Sequence, residues 1–443
     1  MTRARDLADG ADKDITGTLT TDGLTVAGNV SVDGGTIKLD GNYPTGSNNV
    51  ALGNAALDDG SLSGGNNVAV GTDSMTATTS GNQNAAAGNA SLYTNTTGSN
   101  NAAFGNKSLF LNTTGTSNTA LGLQALYNNT TANHNVGVGK DALLANTTGS
   151  ENTAVGTQAL DNNTTASTNP AVGYQALDAN TTGSENVAIG AAALSAATTA
   201  SSNVAIGHQA MFPTTTGNLN VAVGEQALRL NTVGDRSTAV GAYSLYSQNP
   251  SSNADMYNTA VGYNAMFANT TGTENVALGA LALDANTTAS NNVAVGRHAL
   301  GTNTTGASNT ACGDAALYLN TTGDQNTAVG ADALIANTTG NQSSAVGKSS
   351  LTANTTGSSN VAMGFEALKA NTTASDNTGI GYRALLSNTT GTNNVAVGTN
   401  SLIANTTADQ NTAFGKAALA TVTTSNDNTA VGFKALTDNT AAQ

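Results

Sequence analysis

One short unit is written over and over along this chain. Aligned on the residue before T-A-V-G or V-A-V-G, its copies start at position 49 and run to position 428, 23 in all. Twenty of the 22 intervals are 17 residues long; the others are 18 near the start and 21 in the middle. A fixed short period marks stacked supersecondary units, each of which buries its apolar face only against its neighbours. The consensus is N-[TV]-A-[VIL]-G-x-x-A-L-x-x-N-T-T-[GA]-x-x. The fifth slot is Gly in all 23 copies, from Gly53 to Gly432. The ninth is always Leu or Met, and the third is Ala except at Gly137 and Gly379. The fourth is always apolar, with Phe104, Phe414, Met363, Ala87 and Cys312 as its less usual occupants.

A Gly in every repeat, Thr–Thr pairs and Asn-rich punctuation all argue against helix. Two short strands per repeat, each followed by a turn, are expected instead, the first on N-T-A-V and the second on A-L. Asn and Thr at the N-T-T-G corner bond the local backbone. Each repeat is then one coil of an all-β solenoid of about 23 coils, stacked at about 4.8 Å into a length of roughly 110 Å. In the copy at 146–160, Asn146–Gly149 is the corner, and Ala154, Val155, Gly156 and Leu160 are the core-and-turn ladder. Successive strand side chains point to opposite faces. The fourth slot, Cys312 included, is expected inside the coil. The small third slot is expected on the other face, packed closely against neighbouring chains in a parallel, in-register homo-oligomer.

Composition narrows the function classes. With 38% hydrophobic residues, 9% charged residues and four prolines, the chain does not have the composition of a disordered one. The net charge of −14 is thinly spread and leaves no basic footprint for nucleic acid. The single cysteine gives neither an intramolecular disulfide nor a Cys-based zinc site. No stretch has the roughly 18–20 apolar residues of a membrane-spanning helix, so membrane insertion is not expected. The opening MTRARDLADGADKD lacks the apolar region of a secretory signal.

Candidate chemistry is sparse. His134, His208 and His298 fall in different coils. Gly347–Lys348–Ser349 lacks the earlier glycine of a phosphate-binding loop, Gln342 standing in its place. Asp161 and Asp178 share a slot in adjacent coils, where a shared cation competes with plain solvation. Repeated N-T-T triplets match the glycosylation sequon but read as turn chemistry. No catalytic residue, cofactor or metal is expected, and no enzyme. Surface-contact candidates are the aromatics after the ninth-slot Leu: Tyr93, Phe110, Tyr127, Phe212, Tyr246, Phe267 and Tyr318. Tyr174, Tyr263, Phe365, Tyr382 and Phe433 follow the Gly. These rings suit either a sugar or an inter-chain seam. Residues 1–45 depart from the period and alternate apolar residues between DG, GN and GG turns, which marks short strands and an attachment segment. Residues 46–443 form the repeat shaft, with a four-residue insertion within 246–258 read as a corner loop. The chain stops inside a coil, at TDNTAAQ, an edge that calls for a cap or partner.

The motif in NVAIGAAAL (186–194) and NTAVGTQAL (152–160) resembles the head repeats of trimeric autotransporter adhesins. It is more similar still to the 17-residue repeats of phage tail-fibre and virion structural proteins. GGTIKLDGNYPTGSNNVALG (34–53) is similar to segments of marine cyanophage structural proteins. The resemblance implies a left-handed parallel β-roll and a homotrimer. It also implies a structural role in a phage virion, on tail or head, attached to tail or capsid proteins through residues 1–45. A host-surface polysaccharide or outer-membrane component is the implied contact. Alternatives are a bacterial cell-surface adhesin head and, remotely, an ice-binding solenoid, against which the corner position of the Thr pairs counts.

Overall fold

The computed structural model describes residues 47–437, all within one of the chain's two units, Gly41–Gln443. The expected attachment segment, 1–45, and the end of the TDNTAAQ stretch lie outside the described residues. Each repeat contributes one three-residue strand, from β1 (Val50–Leu52) through β7 (Thr153–Val155) to β23 (Thr429–Val431). Each strand pairs in parallel and in register with that of the next repeat, as Thr153↔Pro170, Ala154↔Ala171 and Val155↔Val172 do. There is no helix among the described residues. The chain is therefore an all-β parallel solenoid with roughly 17 residues per turn.

The expected second strand is absent, because the A-L segment is a turn. Leu160 has φ 52°, and every Leu or Met of its slot lies in the left-handed region, where a strand cannot continue. Gln158 (φ 58°) and Glu151 (φ 61°) are left-handed as well. Left-handed backbone costs an L-residue roughly 1–2 kcal/mol. Burying a Leu is worth about 1.5–3 kcal/mol, and Leu160 is fully buried, so burial offsets the strain. The turn is also tied to its neighbour: the Leu160 amide donates to the Ala176 carbonyl at 3.0 Å.

The fifth-slot glycine has a steric cause. Gly173 sits at φ 134°, and a Cβ there would lie 2.5 Å from the Gly190 carbonyl oxygen of the next coil. Coils at strand spacing leave no room for a methyl at that corner, so the slot is Gly throughout.

Third and fourth slots are placed the opposite way from the sequence expectation. Ala154 is fully buried inside the coil, whereas Val155 faces out and Cys312 is exposed. Thinness of the coil is the reason. At Gly137, a Cβ would come 3.3 Å from Cγ of Leu126 on the opposite wall, which leaves room for a methyl and little more. Third-slot smallness is thus a property of the interior and not of a seam between chains.

Two asparagine ladders run through the interior. In the first, Asn152 Nδ2 donates to the Ala166 carbonyl at 2.8 Å, and the Asn152 amide donates to Asn135 Oδ1 at 2.9 Å. In the second, Asn146 Nδ2 donates to Asn129 Oδ1 and to the Gly149 carbonyl, each at 2.9 Å. Both residues are fully buried, so each amide needs these partners. Outside them, Thr147 Oγ1 donates to the Thr164 carbonyl at 2.9 Å, and Thr148 faces solvent.

The four-residue insertion is accommodated between β12 (Thr238–Val240) and β13 (Thr259–Val261), whose register is unbroken. Ser237 replaces the anchor Asn there, and Gln248 replaces the corner Asn. Gln248 Nε2 donates to Ser237 Oγ at 2.9 Å, while its Oε1 accepts from Asn258 Nδ2 at 2.9 Å. The longer amide supplies the side-chain carbonyl that the serine lacks. An Arg236–Asp255 ion pair ties the loop to the preceding coil.

Candidate interaction surface

Because slot three points in, slots two and four point out together along the whole sheet. The fourth-slot column holds 12 Val, three Leu, three Ile, two Phe, one Met, one Ala and Cys312, and no polar residue other than that thiol. Leu121 is 50% exposed, Met363 43% and Phe414 57%. Slot two beside it is Val in ten copies and Thr in nine. A solvated strand face takes polar residues in such positions, and large contiguous apolar patches mark interaction sites. This face runs through every described coil, from β1 to β23. The signal in the sequence is an unvarying apolar slot on a strand, which the sequence expectation places inside the coil and the structure outside it.

The seven ninth-slot-adjacent aromatics fall into separate groups. Tyr93, Phe110 and Tyr127 form a ring stack with centroids 5.1 and 5.0 Å apart, and Tyr246 stacks on Phe267 at 5.0 Å. Phe212 lies 4.5 Å from the Arg229 guanidinium, and Tyr318 meets His298 edge-on at 5.4 Å. Leu144, Asp161, Asp178 and Ser195 separate the first stack from Phe212 along the column. Stacking covers both faces of Phe110, so that ring presents its edge rather than the flat face a sugar would use. The aromatics after the Gly are more open: Tyr174 and Tyr263 are each 54% exposed and Phe433 68%.

Asp161 and Asp178 are not simply solvated. Each has a buried Oδ1 without a hydrogen-bond partner, as does Asp141 one coil earlier. Burial, then the neighbouring Asp178, pushes the Asp161 carboxyl up to about 6, and burial raises Asp178 too. Among the described residues no group of three or more His, Cys, Asp or Glu side chains is placed to hold a metal ion. No helix among them is long and apolar enough to cross a membrane. The lone histidines stay in separate coils, as their spacing requires.

Opposite charges 17 residues apart meet directly. Arg297 Nε lies 3.0 Å from Asp314 Oδ1, and Arg383 Nε lies 2.7 Å from Glu366 Oε2, which draws Lys369 to its other oxygen. The 17-residue period of the repeat sets such residues side by side in adjacent coils. No protein-family model matches the chain, and no curated protein matches it.

Proposed function

We propose that the chain is the shaft of a bacteriophage virion fibre. Three left-handed rolls stand parallel and in register, and the fibre spaces the particle from a host surface and touches that surface. The outward apolar face carries this reading. Its 23 fourth-slot residues alone match the roughly 20–30 residues a side of a standard stable interface. A partner must share the rise per coil to follow that column from end to end, and a second copy of the chain does. The virion setting, on tail or head, rests on the resemblance of the repeats and of residues 34–53. In this reading residues 1–45 join tail or capsid proteins, and the shaft does no catalysis.

Sedimentation equilibrium tests the assembly, with an expected mass three times the 43.6 kDa of the chain. A monomer at micromolar concentration contradicts it. Antibody labelling of intact particles in electron micrographs tests the setting: label on a projecting fibre supports a virion role. A gene placed among secretion genes favours the cell-surface adhesin instead.

One observation revives the ice-binding alternative: second-slot threonines such as Thr153, Thr238 and Thr259 face outward on the sheet. Thermal hysteresis in the purified protein supports that reading. Association that buries the face removes it.

A further inference from the structure

We propose that a groove built from Glu366, Lys369 and Arg383 binds a carboxylate-bearing saccharide. This gives the proposed surface contact a chemical class, and rests on the fibre reading for its biological setting alone.

The groove crosses three successive coils on the flank of the solenoid. Its volume is ≈ 590 Å³, within the roughly 300–1,000 Å³ of small-molecule sites. Ala353, Ala370, Thr352, Leu386 and Ser387 line it beside the three charged residues. In the column after the ninth-slot Leu, Thr352, Lys369 and Leu386 follow one another here, where other coils carry rings such as Phe110 and Tyr246. Two cations and one carboxylate enter it together. Glu366 Oε1 accepts from Lys369 Nζ at 2.6 Å, and its Oε2 accepts from Arg383 Nε at 2.7 Å. These two bonds hold the Glu366 carboxyl below its ordinary range, Lys369 contributing most.

The triad leaves capacity over. Its net charge is +1 in a chain of −14. Arg383 spends one donor of five on Glu366, so its two terminal nitrogens keep the fork that pairs a carboxylate bidentately. Its side chain is 40% exposed and that of Lys369 45%. The guanidinium lies 5.1 Å from the Tyr382 ring centroid, and Tyr382 stacks on Phe365, so it is held in place before a ligand arrives. Around the fork stand the Ser387 hydroxyl, the Glu366 oxygens and the Leu386 side chain. A sugar acid presents the matching set: one carboxylate, several hydroxyls and an apolar C–H face.

The test uses the full-length protein and an oligogalacturonate probe, with binding followed by calorimetry. A neutral malto-oligosaccharide and free acetate serve as comparisons. Saturable binding of the uronate is expected, with at least tenfold weaker binding of the other two. Arg383→Gln is expected to weaken it at least tenfold, and Ser387→Glu, which sets a second carboxylate in the groove, likewise. Arg297→Gln, which breaks a surface ion pair elsewhere on the solenoid, is expected to change nothing. Circular dichroism melts confirm that each variant is folded, and Ser387→Glu carries the test if Arg383→Gln is not. Absence of uronate binding overturns the proposal, as does equal binding by the groove variants, by the neutral sugar or by acetate. None of these results bears on trimer mass or particle labelling, so the fibre reading stands or falls separately.

Discussion

At the residue scale, backbone carbonyls and buried amides decide which substitutions the coil accepts. Gly173→Ala drives a Cβ to within 2.5 Å of the Gly190 oxygen, whereas at Gly432, in the last described coil, the nearest atom is 3.9 Å away. Both positions have strongly positive φ, so comparing them separates clash from backbone strain, itself worth about 1–3 kcal/mol. Gly173→Ala is expected to destabilise clearly more than Gly432→Ala in urea melts. The second Asn ladder breaks where Ala197 replaces the corner Asn, leaving Asn180 Oδ1 buried without a partner. Ala197→Asn supplies the missing donor and is expected to add about 1 kcal/mol, the net worth of one hydrogen bond. Unchanged or lower stability would show that the interior has no room to extend the ladder. Asp161 titrates at about 6 when folded, against an ordinary value of 3.8. The folded state therefore holds the proton more tightly, so this group's contribution to stability falls as pH rises through that window. Asp161→Asn is expected to raise stability at pH 7, and the gain to shrink as pH falls toward 4. A gain independent of pH would exclude the carboxylate as its source.

At the scale of the element, three strand residues carry the inside and the outside of the coil. Ala154 is buried and Val155 is not, so two substitutions tell the walls apart. Ala154→Leu overfills the interior, a change that typically costs about 1–3 kcal/mol, and is expected to lower the melting temperature. Val155→Lys is expected to leave the circular dichroism spectrum unchanged while weakening self-association. The reverse outcome would restore the assignment made from the sequence. That assignment shows where sequence reading runs short. Period, corner and invariant Gly were all legible, since each leaves a fixed residue type at a fixed offset. Alternation separated Ala154 from Val155 but gave no sign of which wall faces in, because both slots are apolar. Leu160 was read as a strand centre since nothing in a Leu announces φ 52°; only burial in a tight turn makes it tolerable. The Ser237–Gln248 exchange was invisible for another reason: two departures from consensus 11 residues apart compensate each other through a hydrogen bond at 2.9 Å. Ser237→Asn and Gln248→Asn are expected to be coupled in a double-mutant cycle, as contacting residues are.

At the scale of the whole molecule, copying one coil makes an apolar column along the described solenoid, and the proposed assembly pairs it with the same column of other copies. Chain Cys312 and the engineered Met363→Cys in a Cys312→Ala background place single thiols on that column, three coils apart, about 14 Å at strand spacing. Brief oxidation of each protein, and of their mixed assembly, measures register directly. Parallel, in-register packing predicts 312–312 and 363–363 disulfides and almost no 312–363 product. Preferential 312–363 linkage, or no linkage at either position in folded protein, would contradict it.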